Sequence, residues 1–325
     1  TLEKPALARP HLEAAGLKNE AWSDEADWLA HEIALRDKRT APAVQHLLRI
    51  IRRQSGSSWH ARALGAHCAL QVSRTIPCET RLLLQASDLP RIAPASRGQF
   101  LLLAARQSNP AIARDLLMRG LGLELYDATG AALTREMLLL SVRLTLTPAE
   151  EIELAAGMVR INQERAALGR LARITLNSLD TKTRLRLLSV RCWIQRRMRD
   201  WPAAARTADE IERLGNSAAM FAAHEQRFRI AQGRGIFQEM LQAARTMHAL
   251  NKPAALYWWR LLPGEAKTIA DRISTSIELL GHWPGDAGTE RTATESLIQL
   301  HVSRRYDEFS RMAFALLPHI SEPWR

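Results

Sequence analysis

Between Arg165 and Arg199 the chain carries ten basic side chains and a single acid, Asp180, a local net charge of +9. A guanidinium presents paired N–H donors that match carboxylate and phosphate oxygens, so a run of this kind suits anion binding. Arg184 and Arg191 lie seven residues apart, two helical turns, with Trp193, Arg196 and Arg197 close by on the same expected helix. The same arginines on a solvated face, neutralised by acids from adjacent helices, explain the pattern equally well. A second concentration is Tyr257-Trp258-Trp259-Arg260. Successive helical residues turn by about 100°, so three adjacent aromatics cannot all face one core. One of them is expected at a surface or groove, where it can stack on a sugar, base or peptide. Packing of the trio against two neighbouring helices is the stronger reading.

Other candidate chemistry is thin. His60, His67, Cys68 and Cys78 offer two nitrogens and two sulfurs, the donor set of a tetrahedral zinc site. Their spacing fits no Cys-x-x-Cys or His-x-x-x-His clip, and a buried thiol beside ordinary histidines is expected instead. Glu150, Glu151 and Glu153, like Asp209, Glu210 and Glu212, are carboxylate groups on predicted helices beside basic residues, which reads as solvated surface rather than acid–base machinery. No Gly-Lys-Ser/Thr phosphate loop and no Gly-x-Ser-x-Gly elbow occurs. Asp24-Glu25-Ala26-Asp27 is an acidic first helical turn of the kind the helix dipole favours. The sequence therefore predicts no catalytic residue, no metal and no cofactor within this chain.

The elements that must position these residues are helices. The chain has 325 residues, with 46% hydrophobic and 24% charged, an ordinary globular balance that argues against wholesale disorder. Ala, Leu and Arg, all strong helix formers, dominate, while only three Tyr and six Phe are present, too few for a sheet-rich fold. An all-α fold is predicted. Clear helix starts are Asn109-Pro110 and Thr147-Pro148-Ala149-Glu150, the latter with a Glu placed to reach back to the capping Thr. From about residue 180 the predicted helices alternate regularly: 182–197, 201–214, 217–232, 236–250, 252–261, 264–280, 289–303 and 305–318. No apolar run approaches the roughly 20 residues needed to span a bilayer. The net charge of +11 rests on 39 arginines against six lysines, a ratio that a GC-rich bacterial genome would also produce. Three cysteines, an odd number, favour a reducing, cytoplasmic setting. The opening at Thr1 without Met suggests a trimmed chain, which leaves a secreted or periplasmic form open.

Two stretches echo each other 36 residues apart. Trp201 is followed by Ala204, Ala208, Ile211 and Leu214, and Phe237 by Met240, Ala244, Met247 and Leu250, at offsets +3, +7, +10 and +13. Tyr306 begins a third copy with Phe309, Ala313 and Leu316. A period of this length points to stacked helical hairpins, since one hairpin cannot bury its own apolar face. On these residues the units from about 185 to 253 resemble tetratricopeptide repeats. Cys192 stands where that family prefers a small first-helix residue; Phe228 in the next unit departs from the pattern, and the first-helix Trp-Leu-Gly-Tyr consensus is absent. The resemblance implies a superhelix of antiparallel hairpins, an α-solenoid, with degenerate repeats over 1–145 and more regular ones over 146–325, or one continuous array.

The expected function is a non-catalytic interaction scaffold. It would hold a protein partner, or an adjacent domain of the same polypeptide, in a concave groove, with Arg184, Arg191, Arg196 and Arg197 as electrostatic contacts and Trp193, Tyr257, Trp258 and Trp259 as anchors. Two alternatives use the same groove for a polyanion. One is a helical accessory region of a glycan-acting enzyme, of glycosyltransferase or murein-lytic type. The other is sequence-independent nucleic-acid binding, although no regular side-chain code runs through the repeats.

Overall fold

The computed structural model describes residues 23–53, 58–73, 79–89 and 92–320, with His11, Leu12, Ala14 and Ile76 besides. Among them every regular element is helical and no strand occurs, so the all-α expectation holds. No helix among them is long and apolar enough to cross a membrane. The chain divides into two compact units between Arg170 and Leu171.

The first unit contains α1 (Ser23–Arg36), α2 (Thr40–Arg53), α3 (Ser58–Val72), α4 (Thr80–Asp88), α5 (Pro94–Arg106), α6 (Pro110–Leu121), α7 (Ala128–Ser141), α8 (Pro148–Arg160) and α9 (Glu164–Leu171). From α1 to α8 each helix packs on the next, and α1 also meets α3, α3 meets α5, α5 meets α7 and α6 meets α8. The helix starts are set by side chains that satisfy orphan N–H groups. Asn109 accepts from Ile112 N at 3.1 Å, and Thr147 with Glu150 forms the expected capping box. Helix α7 begins at Ala128, after the turn that follows α6. Asp127 caps it, and Gly130 lies where any Cβ would collide with the Leu125 carbonyl.

The second unit contains α10 (Thr181–Arg197), α11 (Trp201–Glu212), α12 (Ser217–Arg234), α13 (Phe237–Leu250), α14 (Lys252–Glu265), α15 (Ile269–His282), α16 (Ala287–Val302) and α17 (Tyr306–Leu316). Sequence neighbours pack throughout, and α10 meets α12, α14 meets α16 and α15 meets α17. The echo has a structural counterpart. Arg199, Gly235 and Arg304, each two residues before Trp201, Phe237 and Tyr306, all have positive φ (58°, 69° and 58°). In each case the next residue's N–H reaches back to the preceding helix, as Asp200 to Gln195 O, Ile236 to Ala231 O and Arg305 to Leu300 O, all at 2.9 Å. This is the Schellman turn that closes a helix and reverses the chain. The striped positions Ala204, Ala208, Ile211, Met240, Ala244 and Met247 are buried, whereas in the third copy Met312 and Leu316 take the core positions. Helix α14 runs past its expected end at 261 and through Pro263, because Leu262 and Pro263 are buried against the core that also holds Trp259, Phe237 and Leu279. Burial of that apolar surface outweighs the missing proline N–H.

Candidate interaction surface

Helices α10, α12 and α14 alternate along the chain with α11, α13 and α15, each packed on the next. The starts of α10, α12 and α14 are fixed by side-chain caps: Asp180 to Thr183 N (2.9 Å), Asn216 to Ala219 N (2.8 Å) and Asn251 to Ala254 N (3.2 Å). Hydrogen bonds from Thr183 hold the Asp180 carboxyl below its ordinary value. Gln232 on α12 donates to Glu265 on α14 at 2.7 Å, tying the two helices together.

Along these helices lies a short line of cationic and aromatic groups. Arg196 is half-buried, and burial pushes its guanidinium pKa down; the Arg229 charge adds to that shift, while Cys192 and Glu225 oppose it. Burial in turn lifts the Cys192 thiol to about 11, so it is a packed apolar group and not a nucleophile. Arg229 donates to Glu225 at 3.0 Å and lies 4.9 Å from the centroid of Trp258, whose face it covers. Tyr257 stands edge-on to Trp258 at 5.0 Å and is 61% exposed. The Nε atoms of Arg196 and Arg229 are buried and meet no acceptor among the described residues. Glu225 thus pairs with Arg229 while its charge also acts on Arg196, and the exposed Tyr257 ring stands against Trp258.

The remaining residues singled out from the sequence are placed differently. Arg191 is ion-paired with Glu210 on α11, and Arg184 donates to the Leu179 carbonyl at 3.2 Å. Arg197 is exposed in the last turn of α10, and Trp193 is half-buried on the same helix. Trp259 is fully buried and donates to the Ala244 carbonyl at 3.2 Å, while Trp258 is 6% exposed beneath Arg229. Neither indole presents a free face, which leaves Tyr257 as the outward member of the trio. Arg229 was not among the residues expected at a site. The one local signal for it was Glu225 one turn before it.

Elsewhere the polar clusters are structural. Asp209 and Glu212 grip Arg227 at 2.8 and 2.6 Å, Glu151 pairs with Arg170 at 2.6 Å, and Glu150 lies 3.3 Å from Arg114. His67 hydrogen-bonds Gln71 at 3.1 Å, with its pKa lowered by burial, and the Cys68 thiol points to the Leu82 carbonyl. Cys78 lies outside the described residues, among which no group of three or more His, Cys, Asp or Glu could hold a metal ion. No protein-family model matches the chain, and no curated protein matches it in sequence.

Proposed function

We propose that the second unit is a non-catalytic interaction module that receives an acidic segment of a protein partner, or of an adjacent domain of the same polypeptide, against α10, α12 and α14. The observation that carries this reading is Arg229, whose side chain is 40% exposed and shares the Glu225 region with the Arg196 charge, stacked on Trp258 with the exposed Tyr257 ring against that indole. Incoming carboxylates would pair with the exposed part of the Arg229 guanidinium, and the phenol ring would supply apolar contact area; Arg and Tyr are the side chains that dominate interface energetics. Tetratricopeptide-like stacking into a superhelix is part of the proposal. It is supported by cross-links that recur at one spacing: Gln232–Glu265, Gln238–Asp271 and Arg245–Glu278 each join residues 33 apart, on next-but-one helices.

The test is capture on the immobilised chain from native lysate at low and high salt, comparing wild type with Arg229→Gln. A protein retained by wild type should be released at least tenfold more readily from the variant, about 1.4 kcal/mol. Retention of the same protein by both would sink the assignment of this surface. Nucleic acid or anionic glycan held only at low salt would replace it with the polyanion reading, because counterion release makes such binding steeply salt-dependent.

A further inference from the structure

In the first unit, α1 and α3 bring two indoles and a guanidinium together. The Trp28 and Trp59 rings lie 5.8 Å apart at 35°, and Arg62, one turn beyond Trp59, sits 4.8 Å from the Trp59 centroid and 5.9 Å from that of Trp28. Trp28 is fixed from behind: its Nε1 donates to Glu32 at 3.0 Å and its ring leans on His31, which is buried and bound to the Ala43 carbonyl. Arg62 is exposed and makes no hydrogen bond or ion pair to any described residue, so stacking orients its guanidinium while every N–H stays unused. Beside this group opens a cleft of about 740 Å³ lined by Trp28, Ser58 and Arg62 together with the aliphatic Ala61, Ala66 and Ile92 and by Gly65. That falls within the roughly 300–1,000 Å³ of small-molecule sites.

We propose that this cleft binds a small planar aromatic carboxylate. Its ring would lie against the Trp28 indole and the aliphatic lining, and its carboxylate would take the paired N–H donors of Arg62. A nucleotide fits less well. Ser58 is the one neutral polar side chain among the described lining residues, too few for the several polar edges of a base, and one guanidinium with Glu32 nearby is poor company for a phosphate dianion. The cleft lies wholly within the first unit, so its test is separate from that of the acidic-segment surface.

The experiment titrates the full chain with 2-naphthoate by calorimetry, with the neutral 2-naphthamide as comparison. Wild type should bind one naphthoate saturably and the amide at least tenfold more weakly. Arg62→Gln should lose at least tenfold in affinity for naphthoate and no longer distinguish it from the amide, with its thermal melt unchanged. Arg291→Gln, an exposed change in the second unit, should bind as wild type does. The proposal is overturned if wild type shows no saturable binding, or if Arg62→Gln binds naphthoate as well as wild type.

Discussion

Asp27 is fully buried and meets three described basic side chains. Its Oδ1 meets His46 Nδ1 at 2.8 Å and Arg49 at 3.2 Å, and its Oδ2 meets Arg53 at 2.5 Å, while Arg53 also holds Asp24 at 2.8 Å. Removing one partner from such a network strands the others in a dry interior. Asp27→Ala is therefore expected to cost about 3–5 kcal/mol, read as a drop in denaturant midpoint; a loss under about 1 kcal/mol would show the network to be dispensable. In the sequence, Asp24 and Asp27 read as a dipole-favoured first turn. That much was legible, but not the partner 26 residues away, because local pattern does not say which acid meets which arginine. A second residue-scale consequence concerns protons. Burial lowers the pKa of His31, His67, His224 and His248 below the ordinary 6.5, and for His248 the stacked His282 ring at 4.0 Å and Lys252 add to the shift, opposed by Glu278. These groups are neutral when folded, so they contribute stability in full above pH 6.5, and it is lost as pH falls through their lowered folded values. Glu212 and Asp286, held below their ordinary 4.5 and 3.8, add a further loss at lower pH. The melting temperature should be level from pH 8 to about 6.5 and then decline; His248→Gln should make that decline shallower. A melting temperature independent of pH between 6.5 and 5 would contradict the assignment.

At the scale of elements, the turns before the aromatic-led helices are the feature to test. Gly235 adopts φ +69° at no steric cost, whereas Arg199 holds φ +58° in the equivalent turn against a penalty of roughly 1–2 kcal/mol. Gly235→Ala should destabilise the second unit by about 1 kcal/mol, and Arg199→Gly should stabilise it by a smaller amount, since glycine also raises the entropy of the unfolded chain. Equilibrium unfolding of both variants checks the pair, and equal effects of the same sign would refute the shared-turn interpretation. The elements themselves were largely legible: helix starts at Asn109, Thr147, Asp180 and Asn216 carry their signals in one or two side chains. The exceptions have tertiary causes. Pro263 is tolerated because its neighbours are buried, and α7 starts where a glycine admits a carbonyl. The candidate surface was half legible: Arg196 and Tyr257 stood out by type, but Arg229 lies 33 residues from Arg196, off the 36-residue echo, and only packing of α10 on α12 brings the two charges near each other.

For the whole molecule, basic charge is shared between the units. The first has 22 basic and 18 acidic residues and the second 23 and 16. The dense run from Arg165 to Arg199 therefore overstates the field, since Arg170 and Arg191 are matched by Glu151 and Glu210. Each unit also has its own buried core; in the second, clusters around Trp259, around Met312 and around Cys192 use only that unit's residues. A fragment spanning 172–325 is expected to be helical and to unfold cooperatively by circular dichroism, and a featureless spectrum would show that the units depend on each other.

Packing between neighbouring and next-but-one helices has a kinetic side. The far-reaching polar links described here join residues about 30 apart, and Arg160 donates to Leu121 across 39. Such low contact order means that little loop entropy is lost before each contact forms, so structure can accumulate behind the ribosome one hairpin at a time. In the proposed superhelix the same wiring would yield under mechanical tension in small successive steps, giving a sawtooth of low peaks in place of one tall rupture.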